Sequence, residues 1–354
     1  MHIKSLSVQN FRNHNDTTVE LSPGVNVFVG QNAQGKTNLL EAIFLSCVGR
    51  GWRSPRDRDM INFDANDARV KAVAVKSYGE VEVEMILSRL AKKSININGI
   101  PVQKMGELMG QINCIFFSPD ELRLVKEAPA DRRRFLDIDI SQIDKSYFYS
   151  LLRYNKILAQ RNSLLKSSSE DIGRGLDIWD SELVREGEKI VARRREFLKA
   201  LSPAVIEVHN VLTGGMEEVR LEYETAKSPL QESLQAAREK DMRLKTTTVG
   251  PHRDDIKIVL DGKDARLFAS QGQQRTIALS LKLAELKVFE RLTGERPILL
   301  LDDVLSELDE SRQARLLEII QETQAIVTTT ATKNLPLVFS IFNIEGGSVK
   351  TAAV

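Results

Sequence analysis

The sequence lacks most of the features that mark secreted, membrane or metal-binding proteins. Its 354 residues include only two cysteines, Cys47 and Cys114, and neither has a CxxC or Cys/His companion. A disulfide framework and a structural zinc site are therefore not expected. No run of about 18 apolar residues occurs, and residues 1–15 lack the apolar core of a signal peptide. These absences predict no membrane contact and a cytoplasmic protein.

An excess of charge of either sign is also missing. Lys and Arg number 50 and Asp and Glu number 49, which leaves a formal charge of +1. Any contact with nucleic acid must then come from local basic patches, because the whole chain generates no attractive field. Hydrophobic content of 42% and charged content of 28% are typical of a globular protein.

Strand-like and helical patterns alternate at both ends of the sequence. Residues 1–29 alternate between apolar and polar as strands do, and Thr37–Val48 has a helical pattern. Ala68–Val102 predicts an antiparallel meander with a tight turn at Asn98-Gly99. After residue 246, strands and helices alternate again, which predicts an α/β fold with a mixed, mostly parallel sheet.

The middle of the chain differs, because charged helical patterns replace the strands. Residues 131–165 and 178–212 predict two helices around an exposed turn at Lys166–Gly175, and therefore a short antiparallel helical hairpin. We predict one sheet-containing lobe with a helical lobe inserted into it, and the helix 270–288 packed with the helical lobe. The predicted boundaries are 1–118 and 246–354 for lobe I and 119–245 for lobe II.

One motif predicts a nucleotide-binding phosphate loop. It follows the apolar strand "NVFV", precedes a helix and fits G-x-x-x-x-G-K-[ST] at every position. Glycines let backbone N–H groups turn toward phosphate oxygens, and the helix adds its positive N-terminal end. Lys36 is predicted to reach the β- and γ-phosphates of ATP, and the Thr37 hydroxyl to bind Mg²⁺. The motif comprises Gly30, Gln31, Asn32, Ala33, Gln34, Gly35, Lys36 and Thr37.

Two carboxylates follow a second buried strand. The apolar run Ile298–Leu301 ends in Asp302 and Asp303, and sites in α/β proteins lie at the carboxyl ends of parallel strands. Asp302 is predicted to hold Mg²⁺, and Asp303 to polarise the water that attacks ATP. The alternative is that both acids only cap a turn.

A polar run of unusual composition opens a later helix. Ser270–Arg275 reads SQGQQR and precedes an apolar helical pattern that continues to Val288. We interpret this run as a glycine-centred loop before the helix. It is either a plain polar cap or a site for an anion at the helix N-terminus.

Together these segments resemble the ABC-type ATPases. The run supplies Ser270, Gly272 and Gln273 at the positions of the ABC signature, which binds the γ-phosphate of an ATP held by a second subunit. Ser306–Asp309 resembles the D-loop, which crosses the dimer interface. The resemblance implies a homodimer that forms when ATP is bound.

Further segments are similar to the SMC-like branch, and within it to the RecF family of bacterial recombination mediators. They are "MHIKSLSVQNFRNH", "FFSPDELRLVKEAPADRRRFLD", "TTTVGPHRDDI" and "SQGQQRTIALSLKLAE", and the resemblance covers nearly the whole chain. It implies a weak ATPase that binds duplex and gapped DNA without sequence preference. It also implies action with RecO and RecR to promote RecA loading in repair and replication.

The same resemblance assigns further residues and leaves three positions open. Arg12 and Asn13 correspond to the turn that approaches the nucleotide in SMC-like heads, although a solvated turn remains the alternative for Asn13. Gln271 stands where many members have glycine, and Asp303 where transporters have glutamate. No glutamine near "CIFFSPDEL" can be assigned to the loop that usually joins the two lobes.

Arginines after the phosphate-loop helix are the best candidates for DNA contact, because duplex binding needs several cations on one surface. Two other basic clusters, 132–134 and 193–195, are weaker candidates, and a solvated helix face is the simpler interpretation of the second. His252, without a metal or nucleophile partner, is predicted to be structural or to join the lobes. The candidates for DNA contact are Arg50, Arg53, Arg56 and Arg58.

Three other classes of protein remain as alternatives. A transporter ATPase commonly has a histidine after the strand beyond the acids, where this chain has Thr328–Thr330. An SMC or Rad50 structural head would carry arms of hundreds of residues, but the hairpin here spans under about 50 residues a side, roughly 75 Å. A nucleotide kinase would need neither the signature nor the D-loop.

Overall fold

The computed structural model describes residues 1–54, 56–167, 172–330 and 339–351. Its contacts divide the chain into two compact units, unit 1 (Met1–Glu121 with Leu281–Val354) and unit 2 (Leu122–Ser280). The lobe boundaries at 118/119 and 245/246 stay a prediction of the sequence. Within the described residues, no helix is both long and apolar enough to cross a bilayer.

Strands occupy both ends of the chain and helices most of its middle. In chain order the strands are β1 His2–Phe11, β2 His14–Glu20, β3 Val25–Val29, β4 Asp67–Lys76, β5 Gly79–Ser88, β6 Ser94–Ile97, β7 Ile100–Pro101, β8 Cys114–Phe117, β9 Val219–Glu224, β10 Asp255–Leu260, β11 Lys263–Asp264, β12 Ile298–Asp302, β13 Ala325–Thr329, β14 Ser340–Glu345 and β15 Ser348–Thr351. The helices are α1 Lys36–Val48, α2 Arg123–Lys126, α3 Pro129–Ile143, α4 Lys145–Lys166, α5 Ile172–Thr213, α6 Leu230–Leu244, α7 Ala265–Phe268, α8 Gln271–Thr293 and α9 Glu310–Ile320.

The first sheet of unit 1 contains the predicted antiparallel meander as β4 to β7, and β1 and β2 extend it. Its strand order is β2-β1-β4-β5-β6-β7. Buried apolar side chains alternate with more exposed side chains along β4, so one face of the strand is buried. Asn98 and Gly99, both with positive φ (51° and 75°), form the tight turn between β6 and β7, because a two-residue hairpin of this type needs left-handed backbone at both positions.

The second sheet of unit 1 positions the candidate site. Its order is β15-β14-β3-β13-β12-β8, and β14, β3, β13, β12 and β8 are mutually parallel. Every residue of β12 and β13 is buried, as expected for central parallel strands covered on both faces. Because the strands are parallel, the residues that follow β3, β12 and β13 meet at one edge.

Unit 2 contains the predicted antiparallel helical hairpin, formed by α4 and α5. Arg161 of α4 pairs with Asp180 of α5, and further from the turn Tyr147 hydrogen-bonds with Arg194. The predicted single helix over 131–165 is wrong: it is two helices, α3 and α4. Asp144 separates them because its carboxylate caps α4 by accepting from Ser146 and Tyr147. Of the predicted turn Lys166–Gly175, positions 168–171 lie outside the described residues, and α5 already begins at Ile172.

Several elements have no counterpart in the sequence prediction. In unit 2 they are β9 and α6, and β9 pairs with β10 in a three-stranded sheet. In unit 1 they are β14 and β15, which extend the parallel sheet past β3. These segments have short or strongly charged patterns, and their placement depends on partners far away in the sequence.

Candidate functional site

The phosphate loop connects β3 to α1 at the carboxyl edge of the parallel sheet. Gly35 has a φ of 112°, and a side chain there would lie within 3 Å of His14 and Asn13. At Gly30 a Cβ atom would come 2.3 Å from the carbonyl oxygen of Ile344. Both positions therefore require glycine, and the loop backbone turns at the N-terminus of a buried helix, where anions are favoured.

Lys36 lies inside this loop. Its Nζ donates to the carbonyl oxygens of Gly30 and, at 2.8 Å, of Gln31. Burial lowers the pKa of Lys36, and the nearby carboxylates of Asp303 and Asp302 partly oppose that shift. The ammonium group of Lys36 thus donates to neutral carbonyl oxygens of its own loop. A charged phosphate oxygen would accept a stronger hydrogen bond from it.

Asp302 and Thr37 meet at the mouth of the loop. The Thr37 hydroxyl donates to Oδ1 of Asp302 at 2.7 Å, and the Thr328 hydroxyl donates to the same oxygen at 2.8 Å. The backbone N–H of Asp303 donates to the Thr328 hydroxyl at 2.9 Å. These groups come from α1, from the end of β12 and from β13, which the parallel register brings together.

A hydroxyl and a carboxylate at hydrogen-bond distance fit the donor set that Mg²⁺ takes in nucleotide sites. Within the part of the chain that the structure describes, no group of three His, Cys, Asp or Glu side chains could hold a metal ion. A magnesium ion at Thr37 and Asp302 would therefore depend on phosphate oxygens and water for its other ligands.

Asp303 occupies an uncommon backbone conformation. Its φ is 51°, in the left-handed region that residues with a Cβ rarely adopt. The Ser306 hydroxyl donates to the Asp303 carbonyl at 2.8 Å, which helps hold this turn. Such conformations are often found at functional sites; the role of Asp303 as the group that polarises water stays a prediction.

The β1–β2 turn lies against the phosphate loop. Asn13 Nδ2 donates to the Gln34 carbonyl at 3.1 Å, and Asn38 Nδ2 donates to Asn13 Oδ1 at 2.8 Å. Arg12, by contrast, forms an ion pair at 2.8 Å with the fully buried carboxylate of Glu41 in α1. Hydrogen bonds therefore hold the Asn13 side chain against the phosphate loop, whereas the ion pair of Arg12 connects the β1–β2 turn to α1.

His14 is a residue of this site that sequence analysis missed. It is fully buried, its Nε2 lies 3.1 Å from the Gly35 carbonyl oxygen and its Nδ1 lies 2.7 Å from that of Gly347. Burial lowers its pKa, so the neutral ring is favoured. Gly347 is 333 positions away, and no local pattern could have predicted this contact.

The signature segment belongs to unit 2. The helix predicted over 270–288 is α8, and the polar run interpreted as a loop before it is part of this helix. α8 begins at Gln271, so the polar run is the first turn of the helix. Ser270 and Gln273 form a reciprocal capping box: the Gln273 N–H donates to Ser270 Oγ at 3.3 Å, and the Ser270 N–H donates to Gln273 Oε1 at 2.9 Å.

Gly272 differs from the glycines of the phosphate loop. A Cβ atom there would meet nothing within 4 Å. Packing of this chain therefore does not require glycine at this position. Ser270, Gln271 and Gly272 are exposed, so this turn is accessible to another molecule.

The candidate DNA arginines are exposed but differ in their surroundings. The guanidinium of Arg53 lies 3.6 Å from Oδ2 of Asp302, so this side chain is directed to the phosphate-loop site. Arg58 lies 4.0 Å from Asp59 on the surface. Arg50 and Arg56 are also exposed.

The two weaker arginine clusters contain buried structural residues. Arg132 is 5% exposed and forms a two-pronged ion pair with Asp255 at 2.7 and 2.9 Å. Arg194 is 2% exposed and pairs with Asp137 at 2.8 Å. The interpretation of 193–195 as a solvated helix face is therefore wrong for Arg194, because that side chain points into the hairpin.

His252 connects a loop to the hairpin inside unit 2. Its Nδ1 lies 2.7 Å from the Tyr154 hydroxyl, and its Nε2 lies 3.1 Å from the Thr247 carbonyl oxygen. Burial lowers the pKa of His252 to about 4. The ring is therefore a neutral structural group near pH 7, in agreement with the structural half of the prediction.

Comparison with known proteins identifies the family to which the chain is similar. The model of the RecF/RecN/SMC N-terminal domain family matches residues 2–345. The DNA replication and repair protein RecF of Lachnoclostridium phytofermentans is 42% identical over 334 residues, 93% of each chain. RecF of Agathobacter rectalis is 40% identical over 358 residues, 99% of each chain.

The chain belongs to the RecF family. A solved structure of the recombination mediator RecF with ATP, from the RecFOR pathway, is similar with a TM-score of 0.93 and 36% identity. That match covers 99% of this chain and 98% of the RecF chain. The Smc head bound to the winged-helix domain of ScpA is 18% identical to this chain, with a TM-score of 0.61. The match covers 100% of this chain and 98% of the Smc chain, and at this identity it supports only a shared fold. The predicted α/β head fold of the SMC and RecF type is thus confirmed.

Proposed function

We propose that this RecF-family protein is an ATP-dependent DNA-binding protein of replication and recombinational repair, and that it dimerises around ATP. The hydrogen bonds from Thr37 and Thr328 to one oxygen of Asp302 support this proposal most directly. They join the end of a phosphate loop to the acid that ends β12, as a site for a nucleotide and its metal ion requires.

In this proposal ATP binds at the phosphate loop of one chain. The N–H groups from Gly30 to Thr37 surround the phosphates, and Lys36 moves from its loop carbonyls to the β- and γ-phosphates. Thr37 and Asp302 hold Mg²⁺, which would neutralise charge on the phosphate oxygens. Asn13 stays beside the loop at Gln34.

The signature turn of a second chain completes the site. Ser270 and Gly272 are exposed at a helix N-terminus and Gln273 is half-buried there, and such helix ends favour anions. A γ-phosphate bound there contacts both chains, so it favours the dimer over the monomer. Ser306–Asp309, the segment that resembles the D-loop, follows Asp303 directly and lies at the same dimer contact.

Hydrolysis then dissolves the dimer. Asp303 polarises the attacking water, and loss of the γ-phosphate removes the contact that connects the chains. A side chain shorter than the glutamate of transporters is consistent with slow hydrolysis that serves as a switch. If Asp303→Glu leaves turnover unchanged, the reach of this side chain does not limit the rate.

The dimer presents a composite basic surface to DNA. Arg50, Arg56 and Arg58 are exposed after α1, and arginines bind phosphates through two parallel hydrogen bonds. Binding through the backbone predicts recognition of duplex and gapped DNA without sequence specificity. The RecFOR pathway named for the structural relative makes RecO and RecR the expected partners in RecA loading.

Gel filtration with ATP and Mg²⁺ tests this proposal. The unaltered protein should elute as a dimer, and Lys36→Met and Ser270→Arg should each elute as monomers. Matched controls are Lys71→Met, on the exposed face of β4, and Ser228→Arg, in an exposed loop; both should dimerise. If Lys36→Met or Ser270→Arg dimerises like the unaltered protein, ATP does not bridge the two chains.

A further inference from the structure

The signature glutamine has a carboxylate partner that the sequence resemblance does not assign. Gln273 Nε2 donates to Oε1 of Glu217 at 3.1 Å, while Gln273 Oε1 accepts from the Ser270 N–H. A carboxylate only accepts, so Glu217 can face only the NH₂ end of the amide. Glu217 thereby determines which end of the Gln273 amide remains for the capping box.

The other oxygen of Glu217 lies against a buried histidine. Glu217 Oε2 is 3.2 Å from Nε2 of His209, which is fully buried near the C-terminal end of α5. His209 Nδ1 lies 2.9 Å from the hydroxyl of Ser280 in α8, and that hydroxyl donates to the Thr276 carbonyl at 2.7 Å. His209 and Glu217 thus place polar groups of the end of α5 and the following turn against α8 at two points, Ser280 and the signature turn; the approach of His209 Nε2 to Glu217 Oε2 does not have hydrogen-bond geometry.

The backbone around Glu217 is fixed on both sides. Gly214 and Gly215, with φ values of 73° and 76°, end α5, and the Gly215 N–H donates to the Asn210 carbonyl at 2.9 Å. This is a Schellman motif, whose left-handed position favours glycine. On the other side, the N–H of Glu218 donates to Asp261 Oδ1 at 2.8 Å. The turn therefore presents Glu217 in one place.

We propose that Glu217 is a positioning residue for the signature turn: its carboxylate, held beside His209, orients Gln273 and the N-terminal turn of α8 for the γ-phosphate of a second chain. This inference rests on the proposed function, because it assigns a role in the same ATP-bridged dimer. Glu217 touches neither nucleotide nor metal in this role; it acts through Gln273.

The test compares Glu217→Ala, Glu217→Gln and the matched control Glu218→Ala. Glutamine keeps an acceptor for Gln273, and Glu218 is an exposed neighbour that pairs with Arg220 at the surface. Sedimentation with ATP and Mg²⁺ should show dimerisation weakened about 10-fold in Glu217→Ala, the loss expected for one hydrogen bond to a charged acceptor. Glu217→Gln and Glu218→Ala should stay within about threefold of the unaltered protein.

Two further readouts separate positioning from a merely structural role. The affinity of the monomer for a fluorescent ATP analogue should not change in Glu217→Ala, because the phosphate loop lies elsewhere in the chain. Combining Glu217→Ala with Gln273→Ala should weaken the dimer no more than Gln273→Ala alone, because both changes remove the same contact. Additive effects would overturn the inference.

Hydrogen exchange of the peptide 267–276 without nucleotide gives a readout that does not need the dimer. Exchange should be faster in Glu217→Ala and unchanged in Glu217→Gln and Glu218→Ala. Unchanged exchange in Glu217→Ala overturns the inference, as does faster exchange with undiminished dimerisation. If the unaltered protein itself does not dimerise with ATP, the proposed function fails and the role of Glu217 in it fails too, while exchange still shows whether Glu217 orders the turn.

Discussion

The cluster around Asp302 in unit 1 and the cluster around Arg161 in unit 2 both join polar side chains from distant parts of the sequence. Arg161 is fully buried and contacts the carboxylates of Asp180 at 2.6 Å and Asp241 at 2.7 Å, and the Thr247 hydroxyl at 2.9 Å. The positive charge of Arg161 is thus balanced by carboxylates of the same chain. The charge of Arg161 therefore needs no ligand to balance it, although its Nη2 has no hydrogen-bond partner among the described residues.

In the cluster around Asp302, the charged side chains form hydrogen bonds with neutral groups. Lys36 donates to neutral carbonyl oxygens, and Asp302 Oδ1 accepts from two neutral hydroxyls. Both residues are less than 10% exposed, yet these hydrogen-bond partners are neutral, and the guanidinium of Arg53 comes only to within 3.6 Å of Asp302 Oδ2. Phosphates beside Lys36 and a divalent cation beside Asp302 would supply closer opposite charges. Burial is similar in the two regions, so the partners of the charges distinguish a structural cluster from a ligand site.

The largest effect is expected from breaking the cluster in unit 2. Arg161→Ala leaves the buried carboxylate of Asp241 without its cation, while Asp180 keeps Arg238, and it should destabilise the protein by roughly 3–5 kcal/mol. Urea unfolding measures this loss. The control Arg185→Ala removes an arginine whose side chain is 57% exposed and should change stability by less than about 0.5 kcal/mol. A loss below about 1 kcal/mol for Arg161→Ala would show that the cluster is not structural.

Changes to the cluster in unit 1 should affect turnover instead. Thr37→Ala removes the hydroxyl that contacts Asp302 and should lower ATP turnover roughly 100-fold or more, with little change in stability. Thr37→Ser keeps the hydroxyl and should retain turnover within about threefold. Steady-state phosphate release measures both variants. Equal losses in the two variants would mean that the hydroxyl has no role in the site.

A smaller, pH-dependent effect is expected from His252 in unit 2. Burial lowers its pKa from the ordinary 6.5 to about 4, so the folded state favours the neutral ring. The stability contributed by this shift is fully present above pH 6.5 and is lost as pH falls from 6.5 through 4, a loss of about 3 kcal/mol. Urea unfolding at several pH values measures it.

The variant His252→Gln isolates this contribution. Glutamine can accept from Tyr154 and donate to Thr247 but does not titrate, so its stability should fall less steeply between pH 6.5 and 4. His14, whose pKa burial also lowers, contributes equally to both proteins. If the stability of the unaltered protein and that of His252→Gln depend on pH in the same way, His252 is not the source of this pH dependence.

The smallest effect concerns exposed arginines, which contrast with the buried ones. Arg56→Ala should weaken DNA binding and reduce the slope of log K against log[salt] by about 1, because one phosphate contact is lost. Arg220→Ala, an exposed arginine of unit 2 paired with Glu218, is the control and should leave the slope unchanged. Fluorescence anisotropy with a gapped duplex measures both. An unchanged slope for Arg56→Ala would exclude that residue from the DNA surface.

Sequence patterns predicted the parts of this molecule that depend on neighbours along the chain. The phosphate loop, the acids after β12 and the Asn98-Gly99 turn follow from local chemistry, and the structure has each of these elements. The contact of Thr37 with Asp302 was also predictable, because parallel strands present their carboxyl ends at one edge.

Contacts between distant segments were not predictable in the same way. His14 meets Gly347, and Gln273 meets Glu217, only after the fold has formed. The start of α8 was predicted to within one residue, but the capping box of Ser270 and Gln273 was not, because the polar run was interpreted as a glycine-centred loop. Arg194 shows the same limit, since adjacent arginines on a helix face opposite environments.

The most direct test of the ATP-bridged dimer mixes two inactive variants. Lys36→Met lacks a working phosphate loop and Ser270→Arg lacks a working signature, but a heterodimer contains one site with both parts intact. The account predicts that each variant alone shows almost no ATP turnover and that an equimolar mixture recovers turnover that rises with the product of the two concentrations. A mixture that only equals the sum of the separate variants would contradict a site shared between two chains.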